Sequence, residues 1–250
     1  MAEQHGEEAS ERVGQVESAE MKLCMFHPND TPMERGWVGK IDGERVIHLA
    51  AQTLQSFFLG GGGAREHAEY ALDDVTLLVP VLYPPAVRVF NGPREFVFAN
   101  PTSVAGPAAT IVPPAGADSI VLLTRLAAVI GAEGAIGGFS IYADWMAPGL
   151  PSPKDSDFGS QLGPCVVTRD EIRPEHLDLF IRQHGTELDR GSLGGFDWDD
   201  AVAYAAAGTE LRPGDVIAGP WSHDALFVEG SGIEIDVAGV GVLSATVERS

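Results

Sequence analysis

Cysteine is scarce in this chain, which has only Cys24 and Cys165 among its 250 residues. So few cysteines exclude a small domain held together by disulfides and are typical of a protein kept reduced in the cytoplasm. No apolar run approaches the roughly 18 residues that a membrane-spanning helix needs, and no signal peptide is evident. We therefore expect a cytoplasmic location and no membrane partner.

Basic residues are also few. Sixteen Lys and Arg stand against 36 Asp and Glu, which gives a formal net charge of −20. A surface this acidic repels the phosphate backbone of nucleic acids and the surface of anionic membranes, so we expect neither as a partner. Hydrophobic residues make up 44% of the chain and charged residues 21%, which is the composition of a globular protein with a sizeable core.

Changes in composition along the chain predict three regions. Residues 1–20 hold six Glu and almost nothing apolar, which predicts a disordered acidic tail. Residues 21–86 predict a small N-terminal α+β domain, with a strand in MKLCMF, two strands around the turn at 42–43, and a helix in AAQTLQSFFL. Residues 87–250 predict a mostly β domain, because short Val/Ile runs alternate there with Gly and Pro. We expect two helices to interrupt it, in RPEHLDLFIRQH and in DWDDAVAYAAAG.

Several strings occur in an order typical of a known family. They include DVTLLVPVLYPPAVRVF, PTSVAGP, LAAVIG, GGFSIYADW, KDSDFGSQLGPCVVTRDEI, TELRPGDVIAG and GIEIDVAGVGVL. Together they resemble the fumarylacetoacetate hydrolase family over residues 21–248. The resemblance implies an α+β, predominantly β fold: a β-roll of mixed sheet as the catalytic domain, a small N-terminal domain, and a homodimer.

The resemblance also implies a chemistry. Members of this family cleave, decarboxylate, hydrate or tautomerise 1,3-dicarbonyl and 2-oxo acid substrates, generally with Mg²⁺ or Mn²⁺. A Glu-x-Glu pair on one strand and an Asp on a neighbouring strand hold the metal. A divalent cation suits such substrates because it chelates their oxygens and stabilises enolate charge as a Lewis acid.

The metal site is where this chain departs from the family. The family pattern, aligned with LLTRLAAVIG, places Leu123 and Arg125 at the two glutamate positions, and Asp144 of IYADWM at the aspartate position. An arginine about 4 Å from a divalent ion would repel it by roughly 8 kcal/mol at an effective dielectric constant of 20. We therefore expect no metal cofactor and favour an internal ion pair between Arg125 and Asp144. In the alternative, Glu95 or Glu133 supplies ligands for Mg²⁺ or Mn²⁺.

Other departures replace polar groups with apolar ones. In the family, a segment with an Asn-Tyr followed by a His and a Glu forms a lid that carries the general base, but here only NGPRE separates VRVF from FVFA. Trp145 and Met146 follow Asp144 where the family has small residues, and Trp221 lies where the family has a Thr-Gly-Thr-Pro turn. With Tyr142, these three residues are our candidates for substrate contacts. They predict a larger, more apolar pocket and a bulky, weakly polar substrate.

Three further residues are candidates for the chemistry. Lys154 and Asp157 match the family's pocket lysine and the aspartate that follows it, and a buried lysine would bind an oxyanion or act as a base. The alternative is a surface lysine in the polar loop PSPKDSD. His223 lies beside Trp221 and is a candidate general acid or base near neutral pH.

Three functions are compatible with these residues. The first is a metal-independent enzyme that cyclises, isomerises or decarboxylates a bulky apolar dicarbonyl or polyketide-like metabolite, with Lys154, Arg125, Asp144 and His223 as its catalytic residues. The second is a conventional Mg²⁺-dependent C–C bond hydrolase or decarboxylase of 2-oxo acid or fumarylacetoacetate-like substrates. The third is a non-catalytic relative that binds a ligand, with the acidic tail as an interaction segment.

Overall fold

The computed structural model describes residues 21–221 and 226–248, and about half of those residues lie in β-strands. The N-terminal strands are β1 (Lys22–Pro28), β2 (Trp37–Asp42), β3 (Arg45–Leu49), β4 (Glu66–Ala71) and β5 (Val75–Leu78). The central strands are β6 (Val87–Gly92), β7 (Glu95–Ala99), β8 (Val104–Ala105), β9 (Ala109–Ile111), β10 (Val121–Ile130), β11 (Ile136–Met146) and β12 (Ser160–Thr168). The C-terminal strands are β13 (His176–Gln183), β14 (Thr186–Gly194), β15 (Val216–Ala218), β16 (Leu226–Phe227), β17 (Gly230–Val237) and β18 (Gly241–Val247). The α-helices are α1 (Leu54–Leu59) and α2 (Trp198–Ala206).

The strands form a large and a small sheet. The large sheet has 13 strands, with the main order β4-β3-β2-β1-β12-β11-β10-β15-β6-β7 and with β5, β8 and β16 paired beside it. The small sheet has five strands in the order β14-β13-β17-β18-β9. Three strand pairs are parallel, β12 with β8, β15 with β6 and β18 with β9, whereas the other pairs are antiparallel. The expected predominantly β fold with mixed sheets is therefore confirmed.

The centre of the large sheet is buried on both faces. All ten residues of β10 are buried, and six of them are divided between two hydrophobic clusters on the two faces of the sheet. Leu122 and Leu126 pack with residues of the small sheet, whereas Ala127 and Val129 belong to the cluster that contains the buried residues of α1. This second face of the sheet is the one that carries the candidate site.

The N-terminal strands continue the same large sheet. Strand β1 pairs with β2 on one side and with β12 on the other, where Leu23 lies opposite Val166. The strands of residues 21–86 therefore hydrogen-bond directly to those of the C-terminal region, and the boundary at residue 86 stays a prediction from composition.

Two of the predicted helices form, and a side chain caps the N-terminal end of each. The Thr53 side chain accepts a hydrogen bond from the Ser56 backbone N–H, and the Ser56 hydroxyl accepts one from the Thr53 N–H, which is a capping box at the start of α1. At the start of α2, Asp197 accepts a hydrogen bond from the Asp200 N–H. No helix in the described parts of the chain is long and apolar enough to span a membrane.

The third predicted helix, in RPEHLDLFIRQH, is wrong. This segment forms strand β13, which pairs with β14 and β17. Leu177, Leu179 and Ile181 are buried while His176 and Asp178 are exposed, a period of two residues that suits a strand with one face on the core. The alternation covers only six residues, and the flanking Glu, Arg and Gln are good helix formers, so the local composition favoured the wrong structure.

Candidate functional site

A cavity of about 230 Å³ opens on the α1 side of the large sheet, between β10, the end of β11 and the hairpin of β6 and β7. Most of its wall is apolar, and a few polar side chains converge on it. The lining residues are Val89, Asn91, Val97, Phe98, Ala99, Asn100, Leu123, Arg125, Asp144, Met146, Pro153, Ser156, Asp157 and Trp221.

A larger cleft of about 590 Å³ lies elsewhere, between residues 113–120 and the C-terminal strands. Its charged lining residues are all acidic, namely Asp118, Glu229 and Glu248. Among the described residues it contains no cation and no histidine, so we place the candidate chemistry in the smaller cavity.

The pairing of β10 with β11 brings together the three positions that the family pattern assigns to metal ligands. Leu123 lies directly opposite Asp144, and Arg125 lies opposite Tyr142. Residues that face each other across an antiparallel pair share a face of the sheet, as do residues two apart on one strand. Leu123, Arg125 and Asp144 consequently all line the cavity.

Arg125 and Asp144 form a buried ion pair, as we expected. The Arg125 Nε donates to Asp144 Oδ2 at 3.0 Å. The arginine is 2% exposed and the aspartate 8%. The second oxygen of Asp144, Oδ1, accepts no hydrogen bond from the described residues.

The rest of the guanidinium is held by backbone carbonyls and by its neighbours. Nη1 donates to the carbonyl oxygens of Phe90 and Gly219, at 2.9 and 3.1 Å, and Nη2 donates to Asn91 Oδ1 at 3.4 Å. The Trp221 ring lies over the guanidinium, with 4.8 Å from Cζ to the ring centroid. Four of the five N–H groups of Arg125 thus have partners on the protein, and one N–H of Nη2 is left without one among the described residues.

Burial dominates the ionisation of this pair. Loss of solvation raises the pKa of Asp144 above its ordinary value, and the charge of Arg125 opposes that rise without cancelling it. Loss of solvation likewise lowers the pKa of Arg125, against the opposing effect of Asp144. The pair is a neutral unit, one positive and one negative charge, at the edge of an apolar cavity.

Tyr142 lies two residues before Asp144 on β11, opposite Arg125, and does not line the cavity. It is fully buried, and burial followed by the nearby negative charge of Asp144 raises the pKa of its hydroxyl. The nearby Ser160 hydroxyl opposes this rise in the pKa of Tyr142. The two hydroxyls do not form a hydrogen bond of good geometry with each other. We expected Tyr142 to contact substrate, and the structure instead buries it next to Arg125, away from the cavity lining.

Comparison of the sequence with models of protein families identifies the family of this chain. A family model described as the fumarylacetoacetate (FAA) hydrolase C-terminal domain matches residues 61–248, which is most of the chain. The chain belongs to the fumarylacetoacetate hydrolase family. No protein of curated function matches its sequence.

Solved structures of similar fold come from several enzymes. A 2-hydroxyhepta-2,4-diene-1,7-dioate isomerase from Mycobacterium marinum is 24% identical, with 92% of this chain and 99% of that one covered and a TM-score of 0.76. A maleylpyruvate hydrolase from Sphingobium sp. SYK-6 is 21% identical, with 92% and 100% covered and a TM-score of 0.77. A 2-keto-3-deoxy-D-arabinonate dehydratase is 18% identical, with 92% and 99% covered and a TM-score of 0.75. At these identities the likeness shows the fold of the fumarylacetoacetate hydrolase family.

The residues of this cavity do not fit the divalent metal that the family implies. Leu123 and Arg125 offer no oxygen ligand, and Asp144 already accepts from a guanidinium. Among the described residues, no three His, Cys, Asp or Glu side chains come together in a way that would hold a metal ion. Neither Glu95 nor Glu133 lines the cavity, so the two acids that we considered as substitute ligands do not supply the site.

Trp145 does not line the cavity, which contradicts its prediction as a substrate contact. Successive residues of a strand point to opposite faces, so Trp145 turns away from the face that carries Asp144 and Met146. It is fully buried in the core shared with the small sheet, where its Nε1 donates to Gln161 Oε1 at 3.1 Å. Met146 and Trp221 do line the cavity.

Lys154 is a surface lysine and not a buried one. Its side chain is 66% exposed, and its Nζ donates to Asp157 Oδ2 at 2.7 Å. Asp157 lines the cavity, so the lysine reaches the rim through this ion pair. His223 lies outside the described residues.

The hairpin of β6 and β7 supplies residues that we did not identify from the sequence. Asn91, Val97 and Phe98 line the cavity, and the exposed fraction of Phe98 is 68%. The string NGPRE, which stands where the family has its lid, forms the turn and ends of this hairpin, in which Gly92 pairs with Glu95. The apolar residues at 97 and 98 were a usable signal, but their closeness to Arg125 depends on long-range strand pairing.

Proposed function

We propose that this protein is a metal-independent enzyme of the fumarylacetoacetate hydrolase family that moves a proton next to a carbonyl group of a small, weakly polar dicarbonyl compound. The observation that carries the proposal is the buried pair of Arg125 and Asp144 at the family's metal-ligand positions. Isomerisation and cyclisation of neutral dicarbonyl compounds both pass through an enolate formed by proton abstraction, so this one step serves both of them.

The proposed roles follow from the geometry of the pair. Asp144 takes a proton from the carbon beside the carbonyl onto Oδ1, the electron pair of the broken C–H bond forms the C=C bond of the enolate, and the π pair of the C=O bond moves to the carbonyl oxygen. The remaining N–H of Arg125 stabilises the negative charge that develops there. Because the guanidinium is held by Phe90 and Gly219, its charge is fixed in place before the substrate binds.

The charge and size of the cavity support a small, weakly polar substrate. Arg125 and Asp144 compensate each other, and Val89, Leu123 and Met146 supply apolar wall. A volume of about 230 Å³ is below the 300 to 1,000 Å³ that is typical of pockets for drug-sized ligands. We therefore replace the bulky substrate that we expected from the sequence by a compact one.

A homodimer, which the family resemblance implies, remains part of the proposal.

Carbon-bound proton exchange tests this function. Ethyl 2-methylacetoacetate is a compact neutral probe with one exchangeable proton between its two carbonyls, and its exchange with D₂O is followed by NMR in the presence of chelator. We expect the wild type to accelerate exchange, Asp144→Asn to lose at least about a hundredfold of that acceleration, and Asp178→Asn to keep it. Asp178 is a matched control because it is exposed on the small sheet. Activity that appears only after Mg²⁺ is added would overturn the proposal.

The second candidate function is ligand binding without catalysis. Four N–H groups of Arg125 already have acceptors on the protein, which favours a structural role for its charge. A wild type that binds the probe but never accelerates exchange would favour this function.

A further inference from the structure

We infer that Asn91 is a substrate-binding residue that selects a neutral carbonyl oxygen, so that the cavity accepts neutral dicarbonyl compounds and rejects the corresponding carboxylates. The inference rests on the proposed function, because it names the substrate class of the same cavity. Asn91 lies near the end of β6 and lines the cavity with Val89, two residues before it on the same strand.

Arg125 fixes the orientation of the Asn91 amide. A guanidinium has hydrogen-bond donors only, so the group that faces it must be an acceptor. The amide oxygen of Asn91 is accordingly the atom that accepts from Arg125 Nη2, at 3.4 Å. The amide nitrogen therefore turns away from Arg125, and among the described residues it has no acceptor. Its N–H groups are available to a ligand in the cavity.

Arg125 also couples the two polar groups that a ligand meets. The same guanidinium holds Asn91 through Nη2 and Asp144 through Nε, so an amide donor and a carboxylate acceptor lie side by side. A neutral 1,3-dicarbonyl compound matches both, because a carbonyl oxygen accepts from Asn91 while the acidic C–H or enol O–H faces Asp144. A carboxylate would accept from Asn91 but would place its negative charge near Asp144, where burial makes repulsion costly.

Replacing Asn91 with aspartate tests this role sharply. Asn91→Asp keeps an acceptor for Arg125 and nearly the same shape, but it removes the donor. Asn29→Asp makes the same change of charge at an exposed site remote from the cavity, where Asn29 contacts Asp73 and Thr76. Asn91→Ala serves as a second variant that removes the donor without adding a charge.

We expect wild type and Asn29→Asp to bind ethyl 2-methylacetoacetate equally, and both Asn91 variants to bind it about tenfold more weakly, as measured by NMR titration. We expect monoethyl 2-methylmalonate, a carboxylate of similar size, to bind the wild type at least about tenfold more weakly than the neutral ester. Unchanged binding in both Asn91 variants, equal binding of the two esters, or no binding of the neutral ester would overturn the inference. A wild type that binds the neutral ester selectively without exchanging its proton would contradict the proposed function alone.

Discussion

At the scale of single residues, Arg125 determines what the cavity does. Its position on β10 is the one at which the family resemblance implies a glutamate, and its guanidinium joins Asp144, Asn91 and two backbone carbonyls. A fixed cation held by four hydrogen-bonding groups cannot be exchanged or chelated, unlike a metal ion. In the proposed function, the chemistry of the site therefore depends on protein side chains and not on a bound ion.

The pH dependence of the reaction follows from the burial of Asp144. Burial raises the pKa of this carboxyl above 3.8, and a carboxyl acts as a base only in its deprotonated form. We expect the exchange rate to fall as the pH is lowered through that raised pKa, so the acid limb of kcat/KM lies above pH 3.8. A profile that stays flat down to pH 3.8, or an acid limb that persists unchanged in Asp144→Asn, would contradict the role of Asp144 as the base.

The ion pair was predictable from the sequence, but the wall around it was only partly so. The family pattern placed Arg125 and Asp144 on neighbouring strands, and the structure pairs them. Trp145 was assigned to the pocket although a strand that turns Asp144 towards the cavity must turn its neighbour away. Asn91 escaped notice because its contact with Arg125 joins strands that are separated by 34 positions in the chain.

At the scale of elements, the register of β10 and β11 brings Arg125 and Asp144 together on one face of the sheet. Leu123 faces Asp144 directly, and Arg125 lies two residues further along the same face of β10. The strand pairing therefore places next to one another the three positions that the resemblance assigns to metal ligands.

Restoring the two carboxylates should restore metal binding. We expect the double variant Leu123→Glu and Arg125→Glu to bind Mn²⁺ at one site, because it surrounds one ion with three carboxylates. The matched control, Leu123→Gln with Arg125→Gln, has the same size without the charge and is expected to bind none. Calorimetric titration compares them, and an absence of binding in the glutamate variant that still folds would contradict our alignment of the metal positions.

Strand β13 gives a test of the fold that is independent of the site. Ile181 is fully buried in the core between the sheets, whereas Asp178 on the same strand is exposed. We expect Ile181→Ala to lower the free energy of unfolding by about 2 to 5 kcal/mol and Asp178→Ala to change it by less than about 0.5 kcal/mol, measured by urea denaturation. Equal effects of the two substitutions would contradict the strand and its burial pattern.

The elements that the sequence predicted correctly have strong local signals. The hairpin of β2 and β3 turns at Gly43 and Glu44, one position beyond the predicted turn, and both α1 and α2 begin at side chains that cap them. Strand β13 lacks such a signal, because its partners β14 and β17 come later in the chain and decide its conformation through tertiary pairing.

At the scale of the whole molecule, one continuous sheet links the N-terminal strands to the strands that carry the site. Strand β1 pairs with β12, which pairs with β11, so the positions of Asp144 and its neighbours depend on strands from both ends of the chain. The high negative charge of the chain would attract divalent cations weakly and without a fixed site. A specific metal site must therefore be distinguished from this background by its stoichiometry.

Calorimetric titration of Mn²⁺ into the chelator-treated wild type, with and without oxalate, tests the central claim most directly. Oxalate imitates the chelating oxygens of an oxo acid, so it would complete a site that the protein alone fills only partly. We predict no saturable binding at one ion per chain in either titration, and unchanged proton exchange at every Mn²⁺ concentration. Saturable binding of one Mn²⁺ per chain, with exchange activity that rises in parallel, would contradict the claim that Arg125 has replaced the metal.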